Sequence, residues 1–495
     1  MLLSCYKLES EERQINNNKH IQDERGWIHE FPNVGVYSSP RVADLNQDGV
    51  KDIVIGAGKL EFQKTDSAVI AISGAIGEIL WNVPVRDEIF GSALLLDITQ
   101  NEIKNVIIGG RSAVLMAIND VTGEILWEFF EDNPDHRITP SDYGWYNFYN
   151  PQLIPDQTGN GLEDILISNG GDIMAPPFSE DWPLGNLMII DSSNGELLIQ
   201  TEMPDGRETY MSPVVAKMHE DDSDFTIVFG TDGETVGGGL FRTMLSELNI
   251  IDLSNSIRLM SCKEKGFIAP PVLDDITLND YYDIICNAVD GKVIVLDGKK
   301  NALIWETKIE DSETYGSLGV GSFTEKNIPD FISTMFKGIW PNFEGSVQIV
   351  LDGETGEILL RDSLGTGQIS SLVVVDITGN DRDDALMSIN FTSAEDQDII
   401  YNNMLVVYDI FNRQVFQAAG VYEGFNLAST SRIDDLDGNG MLDIISIHLT
   451  DSKNRFTMNG FRVFRLRTNI ELASNVEWGA TIMGFIDNMA VKQPL

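Results

Sequence analysis

Short apolar runs, each bounded by loops rich in Asp, Asn and Gly, recur along the whole chain. One run reads Asp-Ile-Val-Ile-Gly at 52–56, and another reads Asp-Ile-Ile-Ser-Ile at 443–447. Runs of about five residues with this composition and these borders are typical of β-strands. Helical periodicity is not convincing anywhere in the sequence. The pattern therefore predicts an all-β protein.

A second pattern predicts hairpins between these strands. The stretch 71–81 recurs at 117–127 with identical internal spacing, and looser versions lie at 191–198, 295–305 and 350–360. Each reads as a strand, a turn that contains Gly, and a second strand that in the clearest copies ends in Trp. One strand before an acidic loop, one after it, and this hairpin give four strands per unit.

The units repeat at a nearly constant spacing. They begin near residues 44, 97, 156, 217, 275, 322, 376 and 435, about 56 residues apart, which is in the range of propellers and solenoids. A linear stack of such sheets would expose long strand edges, whereas a closed ring protects them. We therefore predict a single β-propeller of about eight four-stranded blades, with seven blades as the alternative.

Closure of the ring needs one blade built from both chain ends. The segment around Trp27 is expected to supply the outermost strand of the last blade, beside a strand at 461–466, and the tail around Trp478 is the alternative. The predicted organisation is a flexible tether at 1–24, the propeller at 25–467, and a segment at 468–495 that packs on the propeller or closes it.

Five of the predicted loops carry oxygen side chains at loop positions 1, 3, 5 and 9. We call these nine-residue segments the acidic loops. Ca²⁺ takes six to eight oxygen ligands at about 2.3–2.6 Å and tolerates irregular geometry. Asp, Asn and Gly also form ordinary turns, which is the alternative interpretation. The predicted calcium ligands are Asp44, Asn46, Asp48 and Asp52; Asp156, Thr158, Asn160 and Asp164; Asp275, Thr277, Asn279 and Asp283; Asp376, Thr378, Asn380 and Asp384; and Asp435, Asp437, Asn439 and Asp443.

The first and last acidic loops are the richest in carboxylates, and the three that carry Thr at position 3 are leaner. The corresponding segments near residues 97, 217 and 322 have lost most of the pattern and are expected to bind no metal. The sequence therefore predicts that some blades, and not all of them, bind calcium.

These two motifs carry a resemblance to known repeat families. The acidic loops with the following Val-Ile-Gly-Ala at 54–57 resemble FG-GAP or VCBS repeats, the calcium-loop blades of integrin alpha chains. The hairpins with Gly and Trp resemble the tryptophan-docking repeats of quinoprotein-like (PQQ-like) propellers and of outer-membrane assembly scaffold lipoproteins. The resemblance covers about residues 25–466. It implies a propeller with bound Ca²⁺ and is nearly silent about activity, because one fold hosts many functions.

Charge and cysteine positions bear on partners and location. The chain of 495 residues has a formal net charge of −43, which argues against nucleic acid as a partner. Cys5 follows Leu-Leu-Ser and resembles the lipidated residue of a bacterial lipoprotein signal, although the regions that should precede it are missing; an ordinary free cysteine is the alternative. Calcium loops of this kind fill at extracellular concentrations. We expect an exported envelope lipoprotein or a secreted protein. It would contact a membrane only through a lipid anchor at Cys5, and it would be a monomer.

The long loops that join the second and third strands should open on the face opposite the acidic loops. Irregular loops on a rigid scaffold are the usual place for binding. Their aromatic residues can stack on sugars, anchor a protein, or form local cores. The candidate ligand-binding residues are Trp145, Tyr146, Tyr149, Trp182, Trp340 and Phe343.

No catalytic constellation is evident among the five histidines or the glycine-rich loops. The leading hypothesis is a calcium-binding, non-enzymatic propeller of the bacterial envelope or exterior that binds a protein or a glycan. A polysaccharide-lyase-like enzyme on a calcium propeller is the alternative. A quinone-dependent dehydrogenase ranks lowest, because that class often has adjacent cysteines at the cofactor and this chain has none.

Overall fold

The computed structural model describes residues 23–130, 145–172, 184–233, 236–248, 252–395 and 398–471. Within these ranges the protein is an eight-bladed β-propeller, which confirms the predicted fold and the count of eight over seven. Each blade is an antiparallel sheet of four strands in chain order, and two blades add a short fifth strand. Apart from strands, these ranges contain a short 3₁₀ turn at Leu245–Glu247.

The strands of the first four blades follow the predicted units. They are β2 (Arg41–Ala43), β3 (Asp52–Gly56), β4 (Thr65–Ile72) and β5 (Ile79–Val85); β6 (Leu94–Leu96), β7 (Asn105–Gly109), β8 (Leu115–Ile118) and β9 (Ile125–Glu128); β10 (Gln152–Ile154), β11 (Asp164–Asn169), β12 (Asn186–Ile190) and β13 (Leu197–Glu202); and β14 (Val214–Ala216), β15 (Thr226–Gly230), β16 (Gly239–Met244) and β17 (Ile257–Ser261).

The remaining blades are built in the same way, and the last of them takes its outermost strand from the N-terminal segment. They are β18 (Val272–Asp274), β19 (Asp283–Ala288), β20 (Lys292–Asp297) and β21 (Ala302–Lys308); β22 (Ser312–Glu313), β23 (Gly319–Gly321), β24 (Asp330–Lys337), β25 (Gly345–Leu351) and β26 (Ile358–Asp362); β27 (Val373–Val375), β28 (Asp384–Glu395), β29 (Asp398–Asp409), β30 (Gln414–Gln417) and β31 (Tyr422–Glu423); and β32 (Arg432–Asp434), β33 (Met441–Leu449), β34 (Gly460–Glu471) and β1 (Asp23–Pro32).

The burial of each strand depends on its place in the blade. The second strands, such as Asp52–Gly56, are buried on both faces because a neighbouring blade covers each side of the sheet. Outermost strands such as Ile79–Val85 alternate between exposed and buried positions. This difference explains why inner strands read as continuous apolar runs while outer strands alternate. The apolar cores lie between adjacent blades, as where Phe461 and Val463 pack with Ile53 and Ile55.

The ring closes with the N-terminal strand, as the sequence predicted. Strand β1 pairs antiparallel with β34, with Trp27 opposite Arg465 and Phe31 opposite Phe461. Strand β34 continues to Glu471, a few residues past the expected end of the propeller at 467. The rest of the C-terminal segment, most of the predicted tether and Cys5 lie outside the described residues. Within the described part, no helix has the length and apolarity that a bilayer crossing requires.

Tryptophans in outermost strands fasten each of four blades to the next one. The indole N–H of Trp81 donates to the carbonyl of Asp120 at 2.6 Å, and the ring lies against Gly123 in the hairpin turn of the next blade. A Cβ on Gly123 would lie 2.9 Å from Trp81, and its φ of +72° also favours glycine. The same contact recurs for Trp127 with the carbonyl of Ser192, Trp305 with that of Gly353, and Trp27 with that of Gly74.

Replacing Trp81 with Ala should destabilise the fold by about 3–5 kcal/mol, because it removes a buried ring and leaves a cavity between two blades. Trp81→Phe should cost less, since it keeps most of the apolar contact and loses the hydrogen bond. Leu126→Ala is the matched control, because Leu126 lies in an outermost strand and is 39% exposed. Chemical denaturation measures all three. Equal stability of Trp81→Ala and Leu126→Ala would contradict the proposed role of the indole in holding blades together.

Candidate functional site

The acidic loops have one shared conformation, which their own side chains hold. The first aspartate accepts two backbone N–H groups from later in the loop: Asp44 accepts from Asp48 at 3.2 Å and from Gly49 at 3.0 Å. Asp435 accepts in the same way from Asn439 and Gly440. Carboxylates that accept backbone N–H groups need no metal to stay in place. The loops are therefore ordered by local hydrogen bonds.

The aspartate at loop position 9 has a structural role in addition to its predicted role as a ligand. Asp52 is fully buried and accepts the N–H of Leu45 at the start of its loop and that of Gly74 in the hairpin turn of the same blade. Asp164 and Asp283 make the equivalent pair of contacts. Position 9 therefore ties the acidic loop to the neighbouring turn on the same face.

Burial of these carboxylates is electrostatically unfavourable. Desolvation raises the pKa of Asp52 to about 6 and the pKa of Asp384 to about 7, although backbone N–H groups partly offset the effect. Burial also raises the pKa values of Asp164 and Asp283. A bound cation would relieve this cost. This electrostatic feature, more than the loop conformation, is what suits these loops to a divalent ion.

The last acidic loop brings three predicted ligands together. Ligand oxygens of Asp435, Asp437 and Asp443 lie within 4.8 Å of one another, and no other such acidic group occurs among the described residues. Arg465 forms an ion pair with Asp443 at 2.6 Å and contacts Asp437 at 3.2 Å, and Arg467 also pairs with Asp437. This loop therefore groups its carboxylate oxygens most closely among the described residues, and a cation would have to share those oxygens with Arg465 and Arg467.

The segment that follows the innermost strand of the second blade shows that the loop conformation by itself does not identify a metal site. Asp97 accepts the N–H groups of Asn101 and Glu102, as Asp44 does in its own loop. Asn105 stands at position 9 and accepts the N–H of Ile98. The sequence predicts no metal here, and yet the loop conformation is kept. Calcium at the five acidic loops thus remains a prediction that rests on carboxylate content.

A ring of hydrogen bonds surrounds the axis near the opposite face. Every innermost strand but one is preceded, two residues earlier, by Ser, Thr or Asn. At most of these positions the backbone N–H donates a hydrogen bond to the side chain at the same position of the following blade. The bonds run from Thr430 to Ser39, Ser39 to Ser92, Ser92 to Asn150, Asn150 to Ser212, Ser317 to Ser371, and Ser371 to Thr430, at 2.7–3.2 Å. Pro270 interrupts the pattern because it has no N–H, and its carbonyl accepts from Ser317 Oγ at 2.8 Å.

Above this ring lies a cavity on the axis, with a volume of about 360 Å³. Every one of the eight connections between blades contributes to its wall, so it is a product of the closed ring. Aromatic and aliphatic side chains predominate, with a few hydroxyl and amide groups. We call this the axial cavity, and its wall consists of Tyr37, Ser39, Phe90, Ser92, Tyr149, Asn150, Tyr210, Ser212, Ile268, Pro270, Tyr315, Ile369, Leu427 and Ala428.

Buried carboxylates stand behind the aromatic wall. Glu208 accepts the phenol O–H of Tyr210 at 3.0 Å, and Glu313 accepts that of Tyr315 at 2.7 Å. Glu88 occupies the equivalent position beside Phe90 and is only 5% exposed. Desolvation, with the charges of Asp87 and Glu61, raises the pKa of Glu88 to about 7 against the opposing effect of Arg111. Burial and the charge of Glu88 also raise the pKa of Tyr37.

The predicted aromatic ligand-binding residues differ in how far they are exposed and in what they contact. Tyr149 lines the axial cavity, and Trp145 and Trp340 are 36% and 56% exposed. Phe343 is half-buried and stacks on Phe336 at 4.2 Å. Tyr146 is buried against Phe129 and Phe148, which places it in the core and corrects its assignment to the binding face. Trp182 lies outside the described residues.

Sequence reasoning missed the residues of the axial cavity, although a signal was present. The pattern Glu-x-Tyr/Phe-x-Ser, in which x is any residue, occurs at 88–92, 208–212 and 313–317. Each copy lies just before an innermost strand. The motif keeps the spacing of the repeat, since it lies in the connections that follow the first, third and fifth blades. Its recurrence could have located the carboxylates, the aromatic wall and part of the hydrogen-bonded ring.

Glu88→Gln should alter the pH dependence of stability. The folded protein holds the Glu88 proton more tightly than the unfolded chain, so this group disfavours folding increasingly as pH rises from about 4.5 to about 7. The amide mimics the protonated acid. The variant should therefore match the parent near pH 4.5 and exceed its stability above pH 7 by on the order of 1–3 kcal/mol.

Denaturation at a series of pH values measures this difference. Glu124→Gln is the control, because Glu124 is exposed and is not among the charges that shift the pKa of Glu88. A stability difference between Glu88→Gln and the parent that does not change with pH would contradict the assigned electrostatic cost.

Comparisons with known proteins agree with the fold. No protein-family model matches the chain, so membership of a repeat family is not established. The chain is similar to protein FAM234A of Mus musculus (26% identity over 161 residues) and of Bos taurus (26% over 159 residues). Each match covers 28% of this chain and 27% of the relative. The chain thus matches about a quarter of the length of these curated relatives.

Solved structures show the same architecture at low sequence identity. A europium-containing methanol dehydrogenase has a TM-score of 0.55 and 10% identity, covering 91% of this chain and 95% of that one. A quinohemoprotein alcohol dehydrogenase from Comamonas testosteroni has a TM-score of 0.50 and 11% identity, covering 93% and 79%. At these identities the likeness extends to the fold, and it leaves the activity of this chain open.

Proposed function

We propose that the protein is a calcium-stabilised, non-enzymatic binding propeller that takes a protein or glycan ligand on the face around its axial cavity. The observation that carries this proposal is the convergence of all eight inter-blade connections on one aromatic-walled cavity. Its volume of about 360 Å³ is within the usual range of roughly 300–1,000 Å³ for small-ligand sites. Exposed Trp145 and Trp340 extend the aromatic surface beyond it.

Calcium is proposed as a structural ion on the opposite face. The acidic loops offer carboxylate, amide and hydroxyl oxygens, which are the ligands that Ca²⁺ prefers. The cluster of Asp435, Asp437 and Asp443 supports a site at the last loop. The buried position-9 aspartates support the other sites, because a cation would offset the cost of their burial. Millimolar calcium outside the cytosol would suit such sites, and we propose an exported protein accordingly.

A non-enzymatic role is supported by the composition of the cavity wall. Its described residues include no His, Cys, Asp, Glu, Lys or Arg. His, Asp, Glu, Lys and Cys are the usual general acids and bases, and of the residue types that serve in this role the wall offers tyrosine alone. The wall also fits a quinone cofactor poorly, because it offers neither a cation nor a cysteine. Cys262 and Cys286 are instead buried in the core between the fourth and fifth blades.

Calcium should raise the melting temperature of the protein relative to a chelator, since an ion that binds the native state alone adds stability. At 100 times the dissociation constant the gain is about 2.7 kcal/mol per site. The double variant Asp44→Ala with Asp435→Ala should lose most of this rise. Thermal unfolding with excess Ca²⁺ and with chelator measures it.

Asp97→Ala is the matched control for this experiment. It removes the same pair of N–H contacts from a loop that is expected to bind no metal. Its calcium-dependent rise should equal that of the parent. An unchanged rise in the double variant would show that the first and last acidic loops are not the calcium sites.

A glycan array and cross-linking to purified envelope proteins, both with calcium-loaded protein, test the binding function. Any ligand found should bind Tyr210→Leu about tenfold or more weakly, because Tyr210 lines the cavity. Ile76→Ala should bind normally, since Ile76 lies in a hairpin turn on the acidic-loop face. Bound glycans should be recovered with unchanged mass, and shortened chains would instead favour the lyase alternative.

A further inference from the structure

Aromatic rings form most of one side of the axial cavity. Tyr37, Phe90, Tyr149, Tyr210 and Tyr315 come from five different inter-blade connections. Phe90 and Tyr149 have ring centroids 5.3 Å apart, and Tyr149 and Tyr210 have centroids 6.3 Å apart. The rings of Phe90, Tyr149 and Tyr210 therefore form a continuous part of the wall. Aromatic faces carry partial negative charge and attract a cation within about 6 Å of the centroid.

The carboxylates behind this wall strengthen that charge. A phenol that donates its proton to a carboxylate becomes more electron-rich, and Tyr210 and Tyr315 both do so, to Glu208 and Glu313. Both glutamates are buried, at 7% and 1% exposure. Low surrounding dielectric lets their charges act at greater strength than they would in water. The negative potential thus extends through the rings toward the cavity.

Nearby cations offset part of this potential without entering the wall. Lys265 pairs with Glu313 at 2.8 Å, and Arg111 pairs with Glu61 at 3.0 Å. The Arg111 guanidinium carbon also lies 6.0 Å from the centroid of Phe90, which is a cation–π contact at the edge of this same wall. Glu88 remains as a buried acid next to Tyr37, without an ion pair of its own among the described residues. One ring of the wall, that of Phe90, therefore already has a guanidinium neighbour.

We propose that the axial cavity recognises a positively charged side chain, Arg or Lys, presented by a protein partner. This inference rests on the proposed function and specifies the ligand chemistry of the same site. The aromatic wall would hold the aliphatic stem and the face of the charged group. The carboxylates would supply the long-range attraction, and the net charge of −43 would steer a basic partner toward the protein.

This chemistry distinguishes the cavity from sites for other ligands. An anionic ligand would meet no cationic side chain in the wall and would be repelled by the carboxylates behind it. A neutral sugar could stack on the rings but would gain little from buried glutamates that it does not touch. A cation gains from both features. Charge is therefore the property by which the cavity should select its ligand.

The test compares two pairs of blocked tripeptides that differ mainly in charge at the central residue. The full calcium-loaded chain is titrated with acetyl-Gly-Arg-Gly-amide and with its citrulline counterpart, and with the Lys and norleucine versions. Calorimetry gives the affinity, and saturation-transfer NMR shows which peptide protons lie against the rings. The charged peptides should bind about tenfold or more tightly than their neutral counterparts.

Variants locate the effect. Tyr210→Leu keeps the wall apolar and should weaken binding of the Arg peptide about tenfold. Glu208→Gln keeps the shape of the side chain and removes its charge, so the difference in affinity between the Arg and the citrulline peptide should become smaller. Phe456→Leu is the control, because Phe456 is 44% exposed, is not part of the cavity wall, and has its own cation–π contact with Arg455. Melting temperatures show whether each variant is folded.

Each remaining outcome overturns the inference in a distinct way. Equal affinity for Arg and citrulline would show that charge is not recognised, while leaving the cavity as a binding site. Methylguanidinium that binds as tightly as the Arg peptide would assign the cavity to a small free cation. Glycan binding that Tyr210→Leu abolishes, with no response to either peptide, would assign it to a neutral sugar and leave the proposed binding function standing.

Discussion

The structure depends on ring closure, because no blade can bury its own two faces. The inner strands are apolar on both sides, and only a neighbouring blade on each side removes them from water. The last blade therefore has to be completed before the first one is covered. Strand β1 does this by pairing with β34, so that Phe31 and Phe461, which are 430 positions apart in the chain, lie side by side in one sheet.

Two sets of polar contacts keep that ring in register, at different radii. Near the axis, backbone N–H groups donate to Ser, Asn and Thr side chains of the next blade. At the rim, indole N–H groups donate to carbonyls of the next hairpin turn. Apolar burial is non-directional, so it can hold two blades together without fixing their relative height. Hydrogen bonds with defined geometry provide that constraint.

Most of the fold could be predicted from the sequence, because its determinants are local and repeated. The acidic loops, the Gly turns and the doubly buried strands recur at a constant period, and Trp27 indicated the closing strand. In the last acidic loop, for which calcium remains a prediction, the oxygens of three of the predicted ligands lie close together. Its arginines were not foreseen, since Arg465 and Arg467 reach the loop from a strand that lies more than 20 residues later.

The axial cavity could not be predicted in the same way, because its wall comes from eight segments that are distant in the chain. Each contributes one or two residues, and the recurring motif at 88–92, 208–212 and 313–317 marks only three of the eight segments. Tyr146 shows the converse difficulty: a loop aromatic that turns inward has the same sequence signature as one that faces solvent. Burial of a loop side chain is decided by the packing of the folded chain, here against Phe129 and Phe148 and with a hydrogen bond to Gln200.

The two faces of the propeller differ because the repeats are preserved on one and diverge on the other. On the acidic-loop face, the loop that begins at Asp97 keeps the same backbone hydrogen bonds although Asp97 is the only carboxylate left at its four ligand positions. On the axial face, the equivalent positions hold Tyr, Phe, Ile and Leu in unequal order. Divergence of these positions gives the cavity an aromatic side and an aliphatic side, which is the asymmetry that recognition of a single side chain requires.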